Sequence, residues 1–392
     1  MCRQLKGGGM EISMIIKNGF VFDLEQGFVS RDIFTEKNMI VDSFPQTDAE
    51  TSTTIDASDC YVIPGLVDLH FHGCCGEDFS DATPQGLQTI ADYELKNGIT
   101  YICPAGMTLP EEQLIQICEN AATHRQKATS GAELVGINLE GPFLSEAKKG
   151  AQNSAYLHDP DIDLFNHLQA ASNGLVKLIT VAPEQPGALD FIRNVKDAVV
   201  SIGHTAADYD TAAAAFSAGA RQATHLYNGM LPLHHRNPAV IGAAFDSPET
   251  KVELICDGIH IHPSVVRATF QLFGKERVIL ISDTLRAAGM PDGQYTLGGL
   301  DVIVNGNRAV LADAPDTLAG SATNLMDCMK TAVSFGIPLE NAVRAATYNP
   351  AQALGLTDRI GTLDAGKDAT MILLDKESLT VKKIIFKGTI IK

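Results

Sequence analysis

The sequence predicts an α/β protein: a (β/α)8 TIM barrel spanning residues 63–363, with a small β-sandwich domain built from both chain termini, 1–62 and 364–392. Three observations predict it. Eight short, apolar, β-rich runs recur from residue 62 onward, each followed by a stretch of helical periodicity. Histidines and carboxylates collect where those runs end. The two ends of the chain read instead as short strands broken by turns. Strands that alternate with helices build a parallel sheet, and eight such units match a closed barrel.

The runs are 66–72, 99–106, 134–141, 176–183, 199–204, 222–228, 252–260 and 278–283. Between them, 84–97 spaces Leu87, Ile90, Ala91 and Leu95 as one face of a helix. Segments 109–129 and 207–219 are similar, the second Ala-rich and closed by Gly219. The flanks differ. Residues 14–63 read as strands with turns at Asn18-Gly19 and Gln26-Gly27, and 368–392 read the same way. Segment 293–312 also reads as strands, with a hairpin turn at Asn305-Gly306. It follows the eighth run, which makes it a β-flap over the barrel mouth.

Composition limits what such a protein does. The chain has 392 residues, 45% hydrophobic and 20% charged, enough for a large core and unlike a disordered, collagenous or coiled-coil chain. Lys and Arg number 30 against 47 Asp and Glu, a net charge of −17. That balance disfavours nucleic acid and anionic membranes as partners. An anionic substrate would need a local cationic pocket. No run approaches the roughly 18 apolar residues of a membrane span. Residues 1–14 carry two basic residues and a Gly7-Gly8-Gly9 run but no apolar signal core, and read as a loose leader. Eight scattered Cys without a CxxC pair read as reduced thiols and a cytoplasmic location. Cys74-Cys75, beside a His-x-His, is at most a marginal soft-metal ligand.

The chemistry-bearing residues sit at strand ends. His70 and His72 end the first run, Glu140 the third, His204 the fifth and His225 the sixth. Asp257 and His260 end the seventh, and Asp283 the eighth. Barrel active sites are built at this end of the strands, so side chains far apart in sequence converge. The i, i+2 spacing of His70 and His72 turns both to one face of a strand. Histidines and carboxylates around one mouth suit one or two divalent ions of Zn or Fe type. A lone strand histidine is usually core filler; the set is what argues for metal. His124 and His167 fall on predicted helices and read as surface residues, while His158, His234, His235 and His262 fall in loops or helix starts.

The segments PGLVDLHFHG, LEGPF followed by KKGAQN, IGHT, THLYNGM, DGIH and ISDT resemble the amidohydrolase superfamily, and within it the N-acetylglucosamine-6-phosphate deacetylase family. The resemblance covers essentially the whole chain, including the ending GTLDAGKDATMILLD. It implies removal of an acetyl group from a phosphorylated amino sugar, with one or two divalent ions (Zn, Fe, Co or Mn) as cofactor. It implies that Glu140, His204 and His225 are metal ligands, that His70 and His72 serve a second ion, and that Asp283 is the catalytic acid–base. Substrate contacts follow from it at Ala151, Gln152, Asn228, Gly229, Arg236, Asp257, His260 and the loop Leu318, Ala319, Gly320, Ser321, with Arg236 on the phosphate. It also implies a homodimer in which a neighbouring subunit reaches that phosphate. Two positions depart from the family. The eighth run continues SDTLRAAG where many relatives read TDA, and Gln152 stands where some carry His.

Two rival readings are weighed on the sequence. Cyclic-amide hydrolases and nucleobase deaminases of the same superfamily commonly carry a bridging carboxylated Lys on strand four. Here Lys177 lies near that strand's start, away from the mouth, and Glu140 fits the bridging place. A non-catalytic scaffold would show gaps in the ligand set, and none is visible.

Overall fold

The computed structural model describes residues 13–43 and 52–392. The expected leader, with its Gly run and Cys2, lies outside the described residues. The chain divides into two compact units, one ending at Gly65 and resuming at Thr357, the other Leu66–Leu356. The sequence-based boundaries fell at 62/63 and 363/364.

In the larger unit, strands form where apolar runs are continuous. They are β1 (Leu66–Asp68), β2 (Ile99–Ile102, resumed at Ala105–Gly106), β3 (Ile137–Leu139), β4 (Val176–Val181), β5 (Val199–Ile202), β6 (Gln222–Ala223), β7 (Lys251–Ile255) and β8 (Val278–Ile281). Each pairs in parallel with the next in chain order. The result is a curled parallel sheet. β2 and β8 are buried at every position, which is why these strands lack polar alternation. Beyond the last ladder pairs, the Asp283 N–H donates to the His70 carbonyl at 2.9 Å, and the His72 N–H to the Thr284 carbonyl at 2.6 Å. The chain ends of β1 and β8 are thereby tied side by side.

Helices fill the connections: α1 (Pro84–Lys96), α2 (Glu111–Lys127), α3 (Ile162–Ala171), α4 (Ala188–Asn194), α5 (Tyr209–Ala218), α6 (Ala239–Asp246), α7 (Pro263–Phe273) and α8 (Leu325–Ser334). α1 begins where the Thr83 hydroxyl accepts the Gly86 N–H and Pro84 takes the first position. It buries Leu87, Ile90, Ala91 and Leu95, each larger side chain contributing roughly 1.5–3 kcal/mol. α5 begins two residues later than predicted because Asp208 is its cap, accepting from the Thr211 N–H.

Several sequence-based extents prove too long, for one reason. The runs at 134–141, 222–228 and 252–260 end as strands at Leu139, Ala223 and Ile255, because the chain then turns to present its functional residues. His124 is buried and not on the surface: it shares a stripe with Ile117 and Ala121, and burial lowers its pKa. The predicted flap is an antiparallel sheet of Gly293–Leu297, Leu300–Asn305, Arg308–Leu311 and Leu318–Ser321. Its tight turn is Gly306-Asn307, one residue later than expected, since Asn305 pairs with Arg308. Its inner face packs Leu297, Val302, Val304 and Leu311 with Met107 and Leu285.

In the smaller unit the two chain ends share a sheet. Met371–Asp375 pairs with Cys60–Pro64, from Met371 opposite Pro64 to Asp375 opposite Cys60. A second sheet contains Met14–Lys17, and residues of both sheets share one apolar cluster, including Ile16, Ile33, Val62, Met371 and Ile385. Among the described residues, no helix is long and apolar enough to cross a membrane, and the described cysteines are all free thiols.

Candidate metal centre and substrate cavity

The strand ends converge as the alternation of β/α units requires. His70 and His72 leave β1, Glu140 leaves β3, His204 leaves β5, His225 leaves β6 and Asp283 leaves β8. Three of these residues have left-handed backbones: His204 at φ 45°, His225 at φ 26° and Asp283 at φ 51°. This conformation is unfavourable for a side-chain-bearing residue. Here it bends each chain sharply at the sheet's edge, so that the side chain points inward. Gly229 makes room for it. At φ 59°, a Cβ there would lie 3.1 Å from His204 Nδ1.

Two ligand groups result, sharing Glu140: His70, His72 and Glu140, and Glu140, His204 and His225. Glu140 Oε1 lies 2.9 Å from His204 Nε2, 3.0 Å from His225 Nε2 and 3.4 Å from His70 Nε2. Its Oε2 lies 3.3 Å from His72 Nε2. Asp283 Oδ1 is 3.3 Å from His72 Nε2 and 3.7 Å from His70 Nε2. Ligand atoms around a tetrahedral zinc with bonds of about 2.0–2.1 Å are about 3.3 Å apart, so these spacings are those of a coordination shell.

Tautomers agree with that use. His204 Nδ1 donates to the Lys148 carbonyl at 2.9 Å, and His72 Nδ1 to the Ala105 carbonyl at 3.2 Å. His70 Nδ1 donates to Glu253 Oε2 at 2.8 Å. A proton on Nδ1 leaves the Nε2 lone pair for a metal. His204 and His225 point their Nε2 atoms at each other, 3.0 Å apart, and His70 Nε2 is buried without a hydrogen-bond partner. A shared cation accounts for all of these contacts. The site is strongly polarised. Burial opposes charge on His72, yet Asp283 and Glu140 hold its pKa up to about 10. Burial likewise opposes ionisation of Glu140, and the surrounding histidines still hold it well below the usual range.

Beside the ligands opens a cavity of about 320 Å³, lined by His72, Glu140, His204, His225, Asp283 and His260 among others. Of the predicted substrate contacts, Ala151, Gln152, Asn228, Gly229, His260, Leu318 and Gly320 line it. Asp257 lies behind, its Oδ2 accepting from His260 Nδ1 at 2.7 Å. This contact raises the His260 pKa against the opposing effect of burial. Ala319 is turned into the flap core. Ser321 ties the flap to the turn after β8, its N–H donating to the Asp283 carbonyl at 2.7 Å. Arg236 lies outside the cavity on an exposed loop, beside the exposed Leu233. Gln152 also touches the ligands: its Nε2 donates to Glu140 Oε2 at 2.7 Å, and its Oε1 accepts the Thr108 N–H at 2.8 Å. Cys74 and Cys75 belong to neither ligand group.

Sequence reasoning missed Met107, Tyr227, Leu297, Asp316 and Thr317 in the lining, and Glu253 behind His70. Leu297, Asp316 and Thr317 belong to the flap and its approach, where the sequence carries no signal of register. Tyr227 stands inside the HLYN motif and was legible. A second, larger cavity of about 610 Å³ gathers none of the predicted residues. Its carboxylates, Asp78 and Asp81, pair with Arg286 at 3.5 and 2.9 Å.

Residues 61–391 match the model of the amidohydrolase family. The chain belongs to the amidohydrolase family. Amidohydrolases are metal-dependent, and the His and Glu groups of this member are able to hold a metal. It is 36% identical over 369 residues to the N-acetylglucosamine-6-phosphate deacetylase of Bacillus subtilis (strain 168), covering 93% of this chain and 90% of that one. It is 35% identical to an N-acetylgalactosamine-6-phosphate deacetylase of Escherichia coli O157:H7, over 83% of this chain and 86% of that one. Among solved structures it is similar to N-acetyl-D-glucosamine-6-phosphate deacetylase of Mycobacterium smegmatis, an aspartate-to-alanine mutant in complex with N-acetyl-D-glucosamine-6-phosphate. The TM-score is 0.88 at 32% identity, covering 97% of this chain and 99% of that one.

Proposed function

We propose that this amidohydrolase removes the acetyl group of N-acetylglucosamine 6-phosphate, giving glucosamine 6-phosphate and acetate. The observation that carries the reading is the buried set His70, His72, Glu140, His204, His225 and Asp283, with Nε2 of His70, His72 and His204 freed for metal by bonds at their Nδ1 atoms. The named relatives align along nearly the full chain. The eight paired strands and the bonds between the ends of β1 and β8 support a (β/α)8 barrel of 63–363. The shared apolar cluster of the two terminal sheets supports a β-sandwich of 1–62 and 364–392.

One or two divalent ions, Zn, Fe, Co or Mn, suit these donors. His204, His225 and Glu140 would hold one, and His70, His72 and Glu140 would hold a second. Such an ion polarises a carbonyl and lowers the pKa of water toward about 7. Asp283, at the cavity wall beside both groups, takes the proton of the attacking water and returns it to the departing amine nitrogen. Asn228, Gly229 and His260 orient the sugar. Gln152, already bonded to Glu140, faces the acetamido end with Ala151. Leu318 and Gly320 face the sugar from the flap, Ala319 and Ser321 hold that strand in place behind them, and Asp257 holds His260. Arg236 binds phosphate as a bidentate fork. Its exposed place beside Leu233 supports a homodimer in which it serves the neighbouring subunit's site. The free thiols support a cytoplasmic location.

The test is acetate release by metal-loaded protein from N-acetylglucosamine 6-phosphate and N-acetylglucosamine side by side. Strong preference for the phosphorylated sugar is expected, and release from neither would overturn the reading. The galactosamine-type relative favours one alternative, an amidohydrolase acting on a different N-acetylated sugar phosphate. The same assay with that epimer decides it.

A further inference from the structure

We infer that Glu253 is a positioning residue for the metal pair on β1: it fixes the tautomer of His70 and ties that ligand to the backbone of His225. The inference rests on the metal-dependent reading above and adds a residue to it. Glu253 sits in the middle of β7, fully buried between Val252 and Leu254. A buried carboxylate is tolerated only where its lone pairs are used. Oε2 accepts from His70 Nδ1 at 2.8 Å and from the His225 N–H at 3.1 Å, and Oε1 accepts from Gln222 Nε2 at 2.5 Å.

Each bond has a consequence. The first places the His70 proton on Nδ1 and leaves Nε2 directed at Glu140 and Asp283. A carboxylate behind an imidazole also makes it a stronger ligand. The second holds the main chain of a residue from the other ligand group, so one oxygen sets the spacing between the two groups. The third fixes the carboxylate plane. His72 and His204 receive only the first service, and from peptide carbonyls.

The surroundings also define which substitution is informative. Gln222 Oε1 is buried without a hydrogen-bond partner. Turning that amide over lets it accept from an NH2 group. Glu253→Gln then keeps every contact: its oxygen replaces Oε2 and its nitrogen donates to the turned Gln222. The His70 tautomer survives and only the charge is lost. Glu253→Leu removes charge and acceptor together.

The experiment is titration of the metal-free full chain with Zn2+ against a competing chelator, with Co2+ absorption spectra as the second readout. Wild type takes two equivalents. Glu253→Gln weakens one of them about 10–100-fold and leaves the other within about threefold. Glu253→Leu loses the equivalent held through His70 and keeps the other, weakened because the His225 N–H also loses its acceptor. Should Glu253→Leu fail to fold, Glu253→Gln decides alone. Two equivalents of unchanged affinity in Glu253→Gln would overturn the inference, as would equal weakening of both ions. A wild-type chain that binds a single ion overturns it too. A wild type that binds none removes the metal-dependent reading along with it.

Discussion

Asp283→Asn removes the carboxylate charge of Asp283, and with it the charged contact to His72, while leaving the main-chain bonds of the residue in place. The residue sits at φ 51°, a conformation that Asn and Asp accept more readily than other side chains. Its structural bonds are made by the main chain: the N–H to the His70 carbonyl at 2.9 Å, and the carbonyl from the Ser321 N–H at 2.7 Å. Both survive the substitution. Glu140, His204 and His225 keep their mutual contacts, so metal in that group is retained. What disappears is a carboxylate able to accept a proton. General acid–base catalysis is worth about 10²- to 10⁴-fold, or roughly 3–5 kcal/mol of barrier. The expected result is a fall in kcat of that size, with an unchanged melting temperature and retained metal. The assay is initial-rate acetate release at saturating sugar phosphate, with metal content measured on the same sample. Turnover within about tenfold of wild type, at full metal occupancy, would refute the assignment of Asp283 to proton transfer.

Arg236→Ala is expected to raise KM for the phosphorylated sugar far more than for the unphosphorylated one; equal effects on both would remove it from phosphate binding. Stripping the metal with a chelator should abolish acetate release, and rebinding Zn2+ at pH 7 should release protons, because His72 titrates only near 10 while Asp283 and Glu140 hold it charged. Calorimetry in buffers of different ionisation enthalpy reads that release, and buffer-independent heats would contradict it. Burial and the nearby Arg344 and Arg277 lower Lys251 to about 8. The unfolded chain therefore holds more protons than the folded one between about 8 and 10.5, and wild type should gain stability over Lys251→Met as pH rises through that window. Parallel denaturation curves at pH 7 and pH 10 test it.

The fold was legible where the period of the sequence is unambiguous. α1 follows from Leu87, Ile90, Ala91 and Leu95, and the β/α alternation follows from the apolar runs. The ends of those runs were not legible, because His and Asp accept left-handed backbone more readily than most residues but nothing in the sequence marks that the chain turns so at His204, His225 and Asp283. The metal-ligand candidates were legible because histidine and carboxylate at several strand ends form a pattern. Glu253 was not. It lies inside a strand whose neighbours on both sides are buried, so alternation cannot tell which way it faces. His124 is the opposite case: its stripe with Ile117 and Ala121 was present in the sequence, and identity outweighed period in assigning it to the surface. Arg236 was singled out by motif alone, and a single chain brings it to no partner in the cavity.

The supports behind the histidine ligands differ in how they can be inherited. A peptide carbonyl persists through almost any mutation at its position, so the props under His72 and His204, from Ala105 and Lys148, are beyond the reach of single substitutions. The prop under His70 is a side chain, written in one codon. His72 and His204 are therefore oriented by the course of the main chain, while His70 can be strengthened or weakened as a ligand through position 253 without altering any ligand. A single substitution at position 253 thus reaches the imidazole of His70 from behind, leaving the residue itself in place.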